Sequence, residues 1–395
     1  MLSLPRVKLK LEFERDVVVA LATIGFVIGI YFWKLGSLTA GLGPSEAATR
    51  ASAASAHLLY NNPVNDPHSV WIYLLTKLHV TSFFWLRSIS AIFATIFVVC
   101  FYKIARSWFG KLVAWLSTLL LAATPLFILA GRSLSPEIMY LAPLALAALY
   151  FWLTRAKTAN RLVYLAMAAL AAVCLYAPGG IWLLAIGYGF SRSGLKQLRD
   201  YFPRKLSLLG ALIFAILIAP LVAGLIRQPH LLRELAFIPA TWPQPLTLIK
   251  QIAWAAIGLI WHSGIHTDLQ IGRLPLLNAA QAILAVFGFM ALFSRARTKT
   301  YGILAIIALG VIAAGINNNS AILLIALAPI MILVAAGLRY LLLEWQSIFP
   351  RNPIPRAFAY VLILSVCALS LIYGIRYSLV AWPNTVSTRT SYVLK

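Results

Sequence analysis

The chain is dominated by long apolar runs that contain hardly any charged residues. Hydrophobic residues make up 62% of its 395 residues and charged residues only 11%, a composition that excludes a soluble domain. A helix needs about 20 apolar residues to cross the hydrocarbon of a bilayer. Because spanning segments must satisfy their own backbone polar groups, runs of this length predict an all-α, polytopic membrane protein.

Apolar runs of roughly 17–22 residues predict about eleven transmembrane helices. Their expected limits are 17–36, 88–105, 111–130, 136–153, 161–177, 180–191, 206–225, 275–294, 301–316, 320–338 and 357–375. The first run is longer than the apolar core of a signal peptide, so we expect it to be an uncleaved helix. The fifth and sixth are separated by Ala177-Pro-Gly-Gly180, which is typical of a tight turn.

Two long polar stretches, 37–87 and 226–274, interrupt these runs and are expected to be loops. They divide the chain into two regions. Residues 1–190 would form the main transmembrane core with the first long loop, and residues 191–395 a C-terminal transmembrane region with the second.

The distribution of basic residues predicts the orientation in the membrane. A net charge of +23 in a soluble protein would suggest a nucleic-acid partner. Here most of the 33 Lys and Arg residues lie in short segments between apolar runs, which is the pattern of cytoplasmic loops, so no nucleic-acid partner is expected. We predict a multi-pass plasma-membrane protein with a cytoplasmic N-terminus and both long loops on the extracytoplasmic side.

The long loops hold most of the residues that are suited to chemistry. All six histidines lie there, together with the acids Glu46, Asp66, Glu234 and Asp268, and Glu137 lies at the outer end of the fourth predicted helix. The short basic loops contain no glycine-rich phosphate-binding motif. The active face is therefore predicted outside, where an enzyme would take its activated group from a lipid carrier because cytoplasmic nucleotides are absent.

Three carboxylates, those of Glu46, Asp66 and Glu137, are candidates to converge at the outer surface. One would act as general base on an acceptor hydroxyl, and another would orient the acceptor or the base. Basic side chains are candidates for holding a lipid phosphate, with Arg favoured by its bidentate geometry. They are Arg50, Arg132, Arg227, Arg233, Lys250 and Arg273.

Each carboxylate also has a structural interpretation. Ser45 and Glu46 suit the N-cap and first turn of a helix. Asp66 precedes a proline, a common turn signal, and Glu137 follows one, which suits a helix start. Structural and catalytic roles are compatible, so both stay open.

Metal binding is not expected from the histidines or the cysteines. His262 and His266 have the spacing of a helical metal site, but Gly264 between them weakens a helix. The three cysteines fall within apolar runs and are interpreted as buried apolar side chains. We predict no cofactor.

Five short motifs follow one another along the chain: Gly43-Pro-Ser-Glu46, Asn65-Asp-Pro-His68, Trp71-Ile-Tyr73, Trp85-Leu-Arg-Ser-Ile-Ser-Ala-Ile-Phe93 and Gly131-Arg-Ser-Leu-Ser-Pro-Glu137. As an ordered set they resemble the C-type (GT-C) glycosyltransferases, in their protein O-mannosyltransferase and aminoarabinose-transferase branch. They keep the order of the family over residues 17–190.

The resemblance implies roles for individual residues. Glu46 falls at the acidic catalytic motif of the family, Asp66 matches a second acid, and Arg132 with Glu137 matches a later basic and acidic pair. His68 stands where the family has a proline. Position 45 is Ser, so the expected acidic pair is reduced to one carboxylate.

The resemblance also implies an activity. The chain would transfer a sugar from a polyprenyl-phosphate donor to a glycan, lipid or protein acceptor, with inversion. Glu46 would be the general base, with Asp66 second. The residues expected to bind the donor or the acceptor are Arg132, Glu137, Arg50, His68, Arg233, Lys250 and Arg273. The leaving phosphate already carries charge that Arg or Lys can neutralise, so this chemistry requires no metal.

Two other interpretations remain. A transporter or lipid flippase would carry ionisable residues or broken helices near the midplane, whereas the acids here gather outside the predicted spans. An inactive GT-C-like scaffold would account for Ser45.

Overall fold

The predicted apolar runs form helices in a computed structural model, which describes residues 22–155, 160–262, 264 and 268–394. The α-helices of this part of the chain are α1 (Ala22–Phe32), α2 (Pro44–Ser52), α3 (Ala56–Asn61), α4 (Asp66–Lys77), α5 (Phe83–Phe109), α6 (Lys111–Ala122), α7 (Pro125–Arg132), α8 (Ala142–Arg155), α9 (Arg161–Cys174), α10 (Gly180–Tyr201), α11 (Arg204–Arg227), α12 (Leu231–Leu235), α13 (Pro245–Ile257), α14 (Ala279–Arg295), α15 (Arg297–Ile316), α16 (Leu324–Ile348), α17 (Pro353–Arg376) and α18 (Val386–Ser391). Short 3-10 turns cover Pro136–Leu141, Ser320–Leu323 and Trp382–Asn384. The all-α, polytopic prediction is confirmed.

Six helical segments of the described chain are long and apolar enough to cross a membrane, and a seventh is formed if the bent pair α6 and α7 is one span. Each of the eleven predicted runs overlaps a helix. The count of about eleven spans stays a prediction, because α9 and α14 are shorter than a full span, α10 is not among the candidate spans, and the start of the first predicted run lies outside the described residues. The basic N-terminal residues that set the predicted orientation lie outside the described residues.

Both stretches expected to be loops contain helices. Residues 37–87 form α2, α3, α4 and the start of α5, and residues 226–274 contain α12 and α13. The helices α2, α4 and α13 each have Pro in the first turn, where its missing N–H costs no helical hydrogen bond. At 13 residues, α13 is too short to be recognised as a span from its apolar length alone.

Helix α16 lies at the centre of the bundle. In its most apolar stretch, 94% of the helix is buried inside the protein. The helix packs against α14, α15 and α6. Its contact with α14 is a close backbone approach through glycines. A Cβ on Gly288 would lie 1.7 Å from the Leu333 carbonyl oxygen, and one on Gly337 would lie 2.0 Å from that of Leu284. Close helix approach through small residues is a common way to pack transmembrane helices.

At one end of the bundle, the segments that connect the helices are hydrogen-bonded to one another. The backbone N–H of Asn65 donates to the Tyr176 carbonyl at 2.8 Å, and that of Gly179 donates to the Leu235 carbonyl at 2.8 Å. The Ile271 N–H donates to the Tyr377 hydroxyl at 2.7 Å. The predicted turn at Ala177-Pro-Gly-Gly180 is confirmed within this end, with Gly179 at φ 77°. Both predicted outer loops therefore meet in one layer.

The opposite end of the bundle is basic. Arg155 and Arg339 donate hydrogen bonds to the Ser107 and Trp108 carbonyls in the last turn of α5. Cations at a helix C-terminus stabilise its exposed carbonyls and its dipole.

We expect Gly288→Ala to lower the free energy of unfolding by about 1–3 kcal/mol, the usual cost of overpacking a tight contact. Gly187→Ala in α10 is the matched control, because its Cβ would meet no atom within 4 Å. Thermal unfolding in detergent micelles measures both. Equal stability of the two variants would contradict the close α14–α16 packing.

Candidate active site

Helix α2 places Glu46 at the joined end of the bundle. The helix begins at Pro44 with Gly43 as its N-cap, and the Glu46 Oε2 accepts a hydrogen bond from the Gly43 N–H at 3.1 Å. The first-turn interpretation of Glu46 is confirmed. Ser45 as N-cap is wrong by two positions, because Pro44 is already the first helical residue.

The carboxylate of Glu46 is fully engaged in a buried ion pair. Arg87 donates from Nη2 to Oε2 at 2.6 Å and from Nε to Oε1 at 2.8 Å. The Leu134 N–H donates to Oε1 at 2.7 Å. With the Gly43 bond, each oxygen accepts two hydrogen bonds, which is the whole acceptor capacity of a carboxylate. Glu46 therefore fixes α2 to α5 and to the segment after α7.

Arg87 is a site residue to which the sequence analysis gave no role. Its guanidinium is 3% exposed and also donates to Thr39 Oγ1 and the Gly41 carbonyl, each at 3.1 Å. The available signal was a lone Arg near the start of the apolar helix α5, since a charge at such a position normally has a partner or a function.

Asp66 has the opposite environment to Glu46. It is the first residue of α4, preceded by Asn65 at φ 60°, and its Oδ1 is buried without a hydrogen-bond partner among the described residues. Burial raises the pKa of Asp66 from its ordinary value of 3.8 to about 7. The carboxyl is thus poised to exchange a proton near neutral pH.

His68 lies in the first turn of α4 and is neutral. Its Nε2 is 2.9 Å from Ser90 Oγ, and complete burial lowers the pKa of the imidazole to about 3. Nδ1 has no hydrogen-bond partner in the part of the chain that the structure describes. His68 connects α4 to α5 in the same layer as Asp66.

Arg132 and Glu137 flank the Leu134 backbone that binds Glu46. Arg132 donates from Nη1 to the Ile30 carbonyl at 2.5 Å and from Nη2 to the Trp33 carbonyl at 2.7 Å, which caps the end of α1. Glu137 lies in the 3-10 turn Pro136–Leu141, which confirms the helix-start interpretation. Arg132 Nε and Glu137 Oε2 are both buried without a hydrogen-bond partner among the described residues.

The remaining basic candidates lie away from this buried cluster. Arg50 is half-buried in the last turn of α2, whereas Arg233, Lys250 and Arg273 are exposed, and none pairs with a described acid. Arg227 lies over the Tyr60 ring, with 3.6 Å between the guanidinium carbon and the ring centroid. His266 lies outside the described residues.

A cleft opens beside the ion pair, and the end of the chain forms one of its walls. Glu46, Arg87 and Arg132 line it together with Trp382 and Tyr392. Burial raises the pKa of the Tyr392 phenol above its ordinary value, and the neighbouring carboxylates Glu46 and Asp268 add to the shift. The phenol is therefore protonated and available as a donor at neutral pH.

We expect Arg87→Leu to lower the free energy of unfolding by about 3–5 kcal/mol, because it leaves the buried Glu46 charge without a partner. Arg199→Leu is the matched control. Its ion pair with Asp200 is exposed, with the two side chains 73% and 59% accessible, so its loss should cost at most about 1 kcal/mol. Comparable small losses in both variants, measured by unfolding in detergent micelles, would contradict the structural role of the pair.

The sequence and the fold both match known membrane transferases. Residues 66–223 match the family model described as dolichyl-phosphate-mannose-protein mannosyltransferase. A search of curated proteins finds no match. The fold is similar to that of ArnT from Cupriavidus metallidurans in the apo state, with a TM-score of 0.58 and 15% identity over 96% of this chain and 76% of that chain.

Two further solved structures share the fold. ArnT from the same organism bound to undecaprenyl phosphate matches with a TM-score of 0.53 and 15% identity, over 95% of this chain and 76% of that chain. The Archaeoglobus fulgidus oligosaccharyltransferase tethered to an acceptor peptide matches with a TM-score of 0.55 and 15% identity, over 96% of this chain and 55% of that chain. Part of the chain therefore matches the mannosyltransferase family model, within a fold that is similar to those of ArnT and the oligosaccharyltransferase.

Proposed function

We propose that the protein transfers a sugar from a polyprenyl-phosphate-linked donor to an acceptor hydroxyl on the extracytoplasmic side of the plasma membrane, with inversion. The observation that carries this proposal is the family match over residues 66–223 within a fold shared with ArnT, one structure of which holds undecaprenyl phosphate. The acceptor is a glycan, a lipid or a protein.

The charge distribution of the bundle supports the proposed sidedness. Both long interrupting stretches meet in one layer, where the buried carboxyls of Glu46, Asp66 and Glu137 lie. Basic side chains cap α5 at the opposite end, as is typical of a cytoplasmic face. A donor with a lipid tail would enter the carboxylate layer from the membrane.

The hydrogen bonding of Glu46 supports a positioning role for this residue rather than the base role expected from the sequence. A general base needs a free lone pair within reach of the proton that it takes. Both oxygens of Glu46 already accept two hydrogen bonds each, and two of those bonds come from an Arg. Taking a proton there would break the Arg87 pair.

Asp66 is the stronger candidate for the general base. Its Oδ1 has no hydrogen-bond partner among the described residues, and its pKa of about 7 lies where a base is most effective near neutral pH. It would take the proton of the acceptor hydroxyl as that oxygen attacks the anomeric carbon. The bond between that carbon and the phosphate oxygen breaks, and its electron pair leaves with the lipid phosphate.

Other side chains of the layer would bind the substrates. Glu137, with one free carboxylate oxygen, is suited to accept hydrogen bonds from sugar hydroxyls, and His68 supports α4 beneath Asp66. The half-buried Arg50 and the exposed Arg233, Lys250 and Arg273 would contact the donor or anionic lipid headgroups, because a positive charge favours phosphate.

Transfer itself is tested with a panel of radiolabelled polyprenyl-phosphate sugars and membranes that contain the protein. We expect one donor to label an acceptor, and Asp66→Asn to lower the rate by about 10²–10⁴-fold, the usual contribution of a general base. Asp200→Asn is the matched control, because Asp200 is exposed at the end of α10. Labelling by no donor of the panel would contradict the proposal and favour an inactive scaffold.

The pH dependence of transfer should follow the ionisation of Asp66. The pKa of this carboxyl is raised to about 7, so it is protonated and inactive as a base below that pH. We expect kcat/KM to rise about tenfold per pH unit up to about pH 7 and then to level off. A profile that is flat between pH 5 and 8 would exclude Asp66 as the base.

The same ionisation should appear in stability. Because the folded-state pKa of Asp66 is raised, its favourable contribution is present at low pH and is lost as the pH rises through about 7. Wild-type protein should therefore lose stability relative to Asp66→Asn between pH 5 and 8.

A further inference from the structure

The end of the chain, residues 382–394, is fastened across the candidate active site. The Leu42 N–H donates to the Leu394 carbonyl at 2.7 Å, and the Leu394 N–H donates back to the Leu42 carbonyl at 3.3 Å. The Trp382 indole N–H donates to the Asp268 carbonyl at 3.0 Å. This C-terminal segment therefore connects the first interrupting stretch to the second, directly over the buried ion pair.

Two glycines allow the C-terminal segment to lie this close. A Cβ on Gly41 would lie 2.4 Å from the Leu394 carbonyl oxygen, and one on Gly43 would lie 2.6 Å from the Tyr392 ring. The sequence Gly-Leu-Gly that leads into α2 is thus shaped to receive the segment. Tyr392 is held further by its edge-on contact with Trp382, with 5.1 Å between ring centroids.

Two buried donors in the cleft have no hydrogen-bond partner among the residues that the structure describes. They are the Tyr392 hydroxyl and Arg132 Nε. Tyr392 is 2% exposed and Arg132 is 5% exposed, so neither side chain is freely solvated. Buried polar groups in proteins nearly always have a partner, and an orphaned group needs an explanation. Both residues line the same cleft.

The charges in this cleft favour an anion. Arg87 neutralises Glu46, whereas Arg132 bonds to the neutral Ile30 and Trp33 carbonyls and pairs with no acid among the described residues, so its positive charge is not neutralised. Asp268 and Glu137 also interact electrostatically with the Tyr392 hydroxyl. Donors suited to a phosphate therefore stand beside carboxylates suited to the hydroxyls of a sugar.

We propose that Arg132 and Tyr392 form an oxyanion subsite for the phosphate of the polyprenyl carrier, and that the C-terminal segment is part of the donor site. This inference rests on the proposed function and adds to it a second hydrogen-bond donor, supplied by residues 382–394. Arg132 contributes its charge and Nε–H, and Tyr392 contributes one O–H bond. Tyr392 is thus a donor-binding residue.

The test is a binding titration of purified full-length protein with undecaprenyl phosphate, using undecaprenol and inorganic phosphate as the other two arms. Tyr392→Phe removes only the hydroxyl and should weaken undecaprenyl phosphate binding about tenfold, as expected for one hydrogen bond to a charged group. Undecaprenol should bind equally to variant and wild type. Unchanged undecaprenyl phosphate affinity in a folded Tyr392→Phe protein would overturn the subsite.

Tyr201→Phe is the matched control, because Tyr201 is exposed at the far end of the 22-residue helix α10, about 30 Å from Gly180. If inorganic phosphate binds with the same dependence on Tyr392, the subsite recognises phosphate without the lipid tail. If Tyr392→Phe does not fold, hydrogen exchange of wild-type residues 385–394 decides. Undecaprenyl phosphate should slow this exchange, and unchanged exchange would overturn the inference.

The two proposals fail separately. Binding that depends on Tyr392 in a protein that transfers no sugar would sink the enzyme activity and keep the subsite. Sugar transfer by a protein whose donor binding does not depend on Tyr392 would keep the enzyme activity and overturn the subsite.

Discussion

The buried ion pair between Glu46 and Arg87 organises the end of the bundle where the chemistry is proposed. Taking two charges out of water is costly, and their attraction offsets this only when the remaining hydrogen-bonding groups are also satisfied. Here the Gly43 and Leu134 N–H groups complete the carboxylate, and Thr39 with the Gly41 carbonyl completes the guanidinium. Three separate stretches of chain, residues 39–46, the start of α5 and the segment after α7, are thereby fixed to one another.

Because all lone pairs of Glu46 are occupied, its proposed role differs from those of the other two acids. A carboxylate whose lone pairs are all occupied can hold a loop in place but has no acceptor left for a substrate proton. Asp66 and Glu137 each keep an oxygen without a partner in the described structure, which is why we propose proton transfer for Asp66 and sugar binding for Glu137. Ser45, where the family resemblance leads one to expect a second acid, makes this separation sharper, because α2 itself then offers no free carboxylate.

The sequence predicted elements better than it predicted partners. Apolar length was enough to place a helix on every predicted run, and Ala177-Pro-Gly-Gly180 was enough to place a turn. The helix start at Glu46 was foreseen, whereas α3 and α12 inside the two expected loops were missed because they are short and stabilised by tertiary contact rather than by apolar length. Arg87 and Tyr392 received no role, because Glu46 lies 41 residues from Arg87 along the chain and Gly43 lies 349 residues from Tyr392.

By itself, the sequence determined that this protein is a helical membrane protein, because only helices bury such apolar runs in a bilayer without orphaned backbone groups. Together with the family motifs, it also indicated which acids and bases to consider. Only the tertiary structure decided what each of them can do. These properties depend on contacts between distant segments. Arg87 occupies the Glu46 lone pairs, burial raises the pKa of Asp66, and residues 382–394 place Tyr392 in the same cleft as Arg132. Short stretches of sequence cannot predict such contacts, since they arise from the packing of the whole bundle.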